Sequence, residues 1–364
     1  MKKRKPKRGA NIGASAGGRP ITVLIAGIGG GSLGLEIFKC LRLAGGYRLI
    51  GTDVSGKAYG LYLEGFAKTY LLARSAGAEY AARLLEICKK EKVQAIAPGA
   101  EEVQTILSAN RRIFQRAGIL PMLNSEEVCA LCSDKPKQTE FLAARQIPVP
   151  ATREIRSEET LEGFDQFPCV VKPAASSGGS NLVFIAETAD EASFFVQYLR
   201  RRGFRAALQH YISSSEEFTV GVLSDRSGKI IGSIALRRFL EQKLSVTARY
   251  GNRVISSGWS QGEIDAFPEV RRQAERIARA LKSTWALNVQ GRLGDDGVFY
   301  PFEINPRHSG TAYLRALAGF NEPHILIQQC LRGRAPKFGA LRKGYYLRAL
   351  TEEQVPLEEI RQLD

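Results

Sequence analysis

Histidine is scarce in this 364-residue chain: there are three, His210, His308 and His324. Cysteine is almost as sparse, with six residues scattered along the chain, and only Cys129 and Cys132 form a CxxC. No second pair and no nearby histidine completes a zinc set. EEVCALC around that pair reads as an amphipathic helical turn, so buried thiols in a reducing compartment are expected. Long apolar runs are missing too. No stretch approaches the roughly eighteen residues of a membrane span, and the N-terminus lacks the apolar core of a secretory signal. A soluble, cytoplasmic protein without a membrane partner is the expectation.

Acidic residues are in the minority, 37 against 52 Lys and Arg, for a net charge of +15. Seven of these cations fall in the first twenty residues, which hold no acid, and the other 344 residues carry +8. Residues 1–19 are basic and then rich in Gly, Ala and Ser, which predicts a flexible arm. That arm leaves a nucleic-acid contact open; elsewhere nucleic acid is not an expected partner.

What is present is an ordinary globular composition, 44% hydrophobic and 24% charged, with enough chain for two or three domains. ITVLIAG (21–27) reads as a buried parallel strand, followed by a glycine-rich turn, a helix near Leu35–Ala44 and a second strand, YRLIGTD. A helix over 78–90 and strands at QAIAP and ILPMLN continue the alternation. The pattern predicts an α/β, doubly wound, Rossmann-like domain over 20–133. From 134 to 333 the pattern is α+β. FPCVVKPAASSGGSNLVFIA predicts a hairpin, helices are expected over 189–201 and 268–282, and GDDG joins the strands LNVQGRL and VFYPFEIN. A C-terminal extension covers 334–364.

Two stretches invite a functional reading. The first is GIGGGSLG, where Gly29, Gly31 and Gly34 stand in GxGxxG spacing between strand and helix. Asp53 ends the next strand, where a dinucleotide fold binds a ribose hydroxyl. Taken alone this suggests an NAD-dependent oxidoreductase; close strand–helix packing, or an anionic substrate held near Gly29 and Gly31, explains the same glycines.

The second lies in the later half. Lys172 ends the apolar strand CVVKP, so its ammonium emerges at the mouth of a cleft. The loop Ser176, Ser177, Gly178, Gly179, Ser180 follows, and its small side chains expose backbone N–H groups to an anion. Glu303 and Asn305, two apart on FEINPR, share one strand face, and the hairpin sets Gln290 beside them. Three such oxygens suit Mg²⁺, and Arg307 adds a forked cation for phosphate oxygens.

In the order Lys, glycine loop, Gln, Glu-x-Asn-Pro-Arg, the chain resembles the ATP-grasp superfamily. The likeness is greatest to its carbamoyl-phosphate-synthase-like and amino-acid-ligase branches, and it covers most of the chain. The resemblance implies a Rossmann-like pre-ATP-grasp domain followed by a two-lobed ATP-grasp domain. It implies that Lys135, in SDK, and Lys172 contact ATP phosphates, with Ser176–Ser180 closing over them. In QHYISSSEEF, His210, Tyr211 and Ile212 would line adenine and Glu217 would hold the ribose. Gln290, Glu303 and Asn305 match magnesium ligands, for two ions with Mn²⁺ able to substitute, and Arg307 matches the residue facing the transferred phosphate. Many relatives carry Glu at the place of His210 and some an acid at Gln290. The implied reaction is ADP-forming ligation of a small-molecule carboxylate to an amine, amino acids first, through an acyl phosphate; a homodimer is the candidate assembly. Carboxyphosphate or carbamate chemistry, the oxidoreductase reading and a non-catalytic nucleotide- or nucleic-acid-binding role remain as alternatives. For the carboxylate pocket, Arg237, Arg238, Lys243, Arg249 and Arg253 are candidates, with His308 beside Arg307.

Overall fold

The computed structural model describes residues 19–363 except 157–160, 162, 176–181, 215 and 242. The basic tail up to residue 18 and the Ser176–Ser180 loop therefore lie outside the described residues.

Strands β1 (Ile21–Ala26), β2 (Tyr47–Asp53), β3 (Lys68–Leu71), β4 (Ala95–Pro98) and β5 (Leu120–Pro121) form an all-parallel sheet in the order β3-β2-β1-β4-β5. Parallel neighbours need crossovers, and helices α1 (Leu33–Ala44), α2 (Gly77–Lys90), α3 (Glu101–Ala109) and α4 (Arg111–Arg116) lie on those connections. Ser32 starts α1 by accepting from the Leu35 N–H at 3.2 Å, relieving one orphan donor of the first turn. All six β1 residues are buried because both faces are covered. Leu24 and Ala26 pack with Leu84, Leu107 and Phe114 from the helices. Val23 and Ile25 join a core that includes α1 and also Leu236, Trp285 and Leu326 from the second half. That shared core fixes the first domain to the second.

Helices α5 (Glu126–Ser133) and α6 (Lys135–Ala143) lead into an antiparallel sheet of β6 (Thr152–Ile155), β7 (Cys169–Pro173), β8 (Phe184–Ala186) and β9 (Ala206–His210), ordered β6-β9-β7-β8. Helix α7 (Ala189–Arg201) covers it, burying Ala192, Val196 and Leu199 against Val171 and Leu208.

The other lobe is built from β10 (Glu217–Ser224), β11 (Ile230–Arg238), the hairpin β12 (Val246–Tyr250) and β13 (Arg253–Ser256), then β14 (Gly262–Asp265). After α8 (Pro268–Ala280) come β15 (Ala286–Leu293), β16 (Phe299–Asn305), α9 (Ala312–Leu317), α10 (Glu322–Arg332) and β17 (Gly344–Tyr346). Six of these strands make an antiparallel sheet in the order β16-β15-β10-β11-β14-β17. Helix α8 lays Val270, Ala274 and Ile277 on Val220 and Val289 of this sheet. Among the described residues no helix is long and apolar enough to cross a membrane.

The parallel first sheet, the β7–β8 hairpin and the β15–β16 hairpin agree with the sequence reading. ILPMLN contributes only the two residues of β5. Strands β3, β6, β12, β13, β14 and β17 were not anticipated: each has three to five residues, too few for an alternation to stand out.

Candidate active site

A cleft enclosing about 1140 Å³, counted to its open mouth, runs between the two lobes, with walls from β7, β9, β10, β15 and β16. One end is largely apolar. Val170, Val183, Ile212, Val254 and Ile255 face it, with His210 ending β9 and Tyr211 on the link from β9 to β10. That link is held firmly. Tyr211 Oη accepts from the Val254 N–H at 3.1 Å, the Arg292 guanidinium lies 4.3 Å from the Tyr211 ring centre, and Arg292 donates to the Ile212 carbonyl at 3.1 Å.

The middle is cationic. Lys172 is buried at the end of β7, and its Nζ donates to Gln209 Oε1 at 2.8 Å and the Phe302 carbonyl at 3.0 Å. The second acceptor exists because β16 bulges. Pairing steps from Gln290–Glu303 to Gly291–Pro301, leaving Phe302 out of the ladder. Both acceptors are neutral, so burial pulls the Lys172 ammonium down to about 7, helped by the charge of Lys135 and opposed by Glu303. Lys135, first in α6, donates through its backbone N–H to Ala174 at 2.9 Å and through Nζ to Ala175 at 3.2 Å. Burial lowers its pKa against the pull of Glu303 and Glu101.

Beyond the lysines the cleft becomes an oxygen-rich corner. Gln290 and Glu303 are directly opposed on β15 and β16, and Gln290 Nε2 donates to Glu303 Oε2 at 2.7 Å. Beneath them Arg238 donates to Gln290 Oε1 at 2.9 Å and to Glu217 Oε1 at 2.8 Å. Glu217 is 1% exposed, and its other oxygen accepts from Arg292 Nε at 3.1 Å and Nη2 at 3.0 Å. Both of its oxygens are thus engaged by guanidinium groups. Among the described residues, Glu303 Oε1 and the Asn305 side chain make no hydrogen bond. These two donors, carboxylate and amide oxygen on one strand face, fit a hard cation such as Mg²⁺ that keeps phosphate and water oxygens at its other positions. Arg307 lines the same corner, donating to the His308 carbonyl at 3.1 Å.

The structure therefore brings Lys135, Lys172, His210, Tyr211 and Ile212 into one cleft with Glu217, Gln290, Glu303, Asn305 and Arg307. Other candidates stand apart from its lining. Arg237 pairs with Glu216 and Glu263, Arg249 donates to the Leu240 carbonyl, and Arg253 pairs with Glu187. Lys243 sits in a short 3₁₀ turn. His308 is buried, its Nδ1 3.1 Å from Glu322 Oε2. Among the lining groups that escaped the sequence reading are Gln209, Arg292 and Glu101. Glu101 opens α3 in the first domain, and its only sequence signal was an acidic pair after the strand QAIAP.

The glycine turn near β1 is built differently. A Cβ on Gly34 would lie 2.0 Å from the Gly27 carbonyl oxygen, and one on Gly99 would lie 1.8 Å from the same atom. Gly31 has φ +72° and faces Trp259, whose ring would be 2.2 Å from a Cβ. Asp53 turns inward: Oδ2 accepts from the Ile28 N–H at 2.8 Å, while Oδ1 accepts from Val54 at 2.8 Å and Ser55 at 3.0 Å. Gly31 and Gly34 are thus required by packing, and the Asp53 carboxylate braces the turn itself; neither Gly29 nor Gly31 lines the cleft.

Comparison with known proteins agrees with this architecture. Residues 23–122 match a family described as PylC-like, N-terminal domain. Residues 206–353 match one described as ATP-grasp in the biosynthetic pathway with Ter operon. Among solved structures, the chain is similar to N5-carboxyaminoimidazole ribonucleotide synthetase from Thermotoga maritima, with 16% identity and TM-score 0.60 over 89% of this chain and 78% of that one. It is similar to L-amino acid ligase from Bacillus licheniformis at 15% identity and TM-score 0.65, over 89% and 76% of the two chains. Biotin carboxylase from Campylobacter jejuni, solved as a β-γ-ATP complex, gives 16% and 0.65 over 85% and 71%. At such identities the structural likeness speaks for the fold, and the match over 206–353 for the family. Residues 206–353 thus match an ATP-grasp family model, and the Rossmann-like domain ahead of them matches a PylC-like N-terminal domain, in a fold shared with ATP-grasp structures.

Proposed function

We propose that the protein is an ATP-dependent carboxylate–amine ligase that releases ADP and phosphate. The observation carrying this reading is the sharing of one cleft by Lys135, Lys172, Glu303, Asn305 and Arg307, with an apolar slot at its far end. A carboxylate is a poor electrophile. Transfer of a phosphoryl group to its oxygen makes an acyl phosphate, and an amine attacking the carbonyl carbon then expels phosphate. Such a transfer needs positioning and charge stabilisation more than covalent help. Lys135 and Lys172 hold phosphate oxygens, Glu303 and Asn305 hold the cation, and Arg307 faces the transferred group. Mg²⁺, when bound, neutralises charge developing on the phosphate oxygens. His210, Tyr211 and Ile212 take the adenine. The loop Ser176–Ser180 is proposed to cover the phosphates.

The substrates are proposed to be amino acids, in keeping with the fold shared with an L-amino acid ligase, the cell compartment the cytoplasm, and the assembly a homodimer. Proposed domain limits remain 20–133 and 134–333. The test is release of ADP and phosphate across a panel of amino acids, with Lys172→Ala and Glu303→Ala as controls; AMP as product would sink the reading. A second reading, carboxyphosphate chemistry with bicarbonate, draws on the fold shared with biotin carboxylase. Bicarbonate-dependent ADP release without any added amino acid would favour it.

A further inference from the structure

We propose that Glu101 binds the ammonium group of the amine substrate and takes the proton that this amine must lose before it attacks. The inference deepens the ligase reading and rests on it.

Three acids line the cleft among the described residues: Glu101, Glu217 and Glu303. Glu217 is paired with Arg238 and Arg292, so two guanidinium groups already compensate its charge. Glu303 accepts from Gln290 and stands with Asn305 where the cation would be held. The Glu101 side chain has neither a hydrogen bond nor an ion pair among the described residues. Burial lowers the pKa of Lys135, and Glu303 and then Glu101 oppose that shift, so Glu101 lies towards the phosphate end of the cleft. An acid without a partner at that place suits a cation brought by the substrate. Its neighbour Glu102 turns away, exposed and 4.0 Å from Arg74.

The topology explains how an acid of the first domain comes to face this cleft. In the parallel sheet the strand order reverses between β1 and β4. The crevice beyond the carboxyl ends of strands at such a switch point is where open α/β sheets take ligands. The Gly99 N–H donates to the Ala26 carbonyl at 2.6 Å, tying the end of β4 to the end of β1. Glu101 follows as the first residue of α3. The amine then sits in the first domain's crevice, facing the phosphates held by Lys135 and Lys172.

Near pH 7 the amine of an amino acid is mostly an ammonium ion, which has no lone pair for attack. The Glu101 carboxylate accepts one N–H proton, and the freed lone pair forms the C–N bond at the acyl carbon. The C–O bond to phosphate then breaks, its electron pair leaves on phosphate, and a second N–H proton goes with it. Other bases are badly placed for this step. His210 lies at the apolar end, and a phosphate beside Lys172 keeps that amine charged.

Hydroxylamine is the comparison nucleophile, because at neutral pH it is uncharged and has no proton to lose before attack. The full chain, with ATP, Mg²⁺ and a panel of L-amino acids, is scored for amide by mass spectrometry and for hydroxamate by its ferric colour. Glu101→Gln should lower the ratio of amide to hydroxamate by about 100-fold or more, the size of a general-base contribution. Glu101→Asp, which keeps the carboxylate on a shorter arm, should lower it less. An unchanged ratio in folded Glu101→Gln overturns the proposal, and so does an equal loss of both products, which would give Glu101 a part in phosphoryl transfer or in stability instead. If Glu101→Gln does not fold, an unchanged ratio in Glu101→Asp overturns it. No hydroxamate from the wild type with any amino acid defeats the acyl-phosphate reading and this proposal with it, whereas hydroxamate with an unchanged ratio defeats only the proposal.

Discussion

The turn after β1 and the corner beside β16 both carry residue types that suggest a nucleotide, and their surroundings treat them in opposite ways. In the turn, Gly34 and Gly99 meet the Gly27 carbonyl, Gly31 meets Trp259, and Asp53 spends its carboxylate on three nearby N–H groups. In the corner, two lysines lack an acidic hydrogen-bond partner, and Glu303 and Asn305 keep oxygens facing the cleft. Glycines required by backbone contact explain themselves through packing. Charged groups left without a compensating partner at a cavity wall ask for a ligand.

Replacement on the corner side should bring the largest effect. Lys172→Met or Glu303→Ala should lower ADP-forming activity by about 100-fold or more, as loss of a preorganised electrostatic group does. Activity within a few-fold of wild type would move the nucleotide elsewhere. On the turn side the cost should fall on stability. Gly34→Ala drives a methyl group into the Gly27 carbonyl, and overpacking of this kind costs about 1–3 kcal/mol in urea unfolding. Activity per folded molecule should stay within about two-fold of wild type. Asp53→Ala removes the acceptor for three backbone donors, one of them the Ile28 N–H on the turn after β1. A loss of about 1–2 kcal/mol is expected, with no change in nucleotide affinity; a loss of affinity at unchanged stability would restore the ribose-binding role.

The smallest effect is a proton. Lys172 titrates near 7 without ligand, and a phosphate beside it favours the charged form, raising that value. Binding above about pH 7 should therefore take up part of a proton, and affinity should fall as pH rises through 7 to 9. Calorimetry in buffers of different ionisation enthalpy measures the uptake, which Lys172→Met should abolish.

The legibility of these two regions in the sequence also differs. Lys172, Glu303, Asn305 and Arg307 were readable because their chemistry is rare in combination and strand alternation puts Glu303 and Asn305 on one face. The Arg237–Arg238 pair was not separable. Neighbours on a strand point to opposite faces, and only the register shows Arg238 turning to Gln290 while Arg237 goes to Glu216 and Glu263. Glu101 was hidden for another reason: it reaches the cleft from the other domain, across a contact no local pattern encodes. The glycine turn misled in the opposite sense, since GxGxxG spacing records close backbone approach whichever ligand, or none, sits above it.

Calorimetric titration of Mg²⁺–AMPPNP and of NAD⁺ into wild-type, Lys172→Met and Asp53→Ala proteins tests the central claim most directly. Mg²⁺–AMPPNP binding is expected to survive Asp53→Ala, to be lost in Lys172→Met, and to have no NAD⁺ counterpart. NAD⁺ binding that survives Lys172→Met and disappears in Asp53→Ala would contradict it.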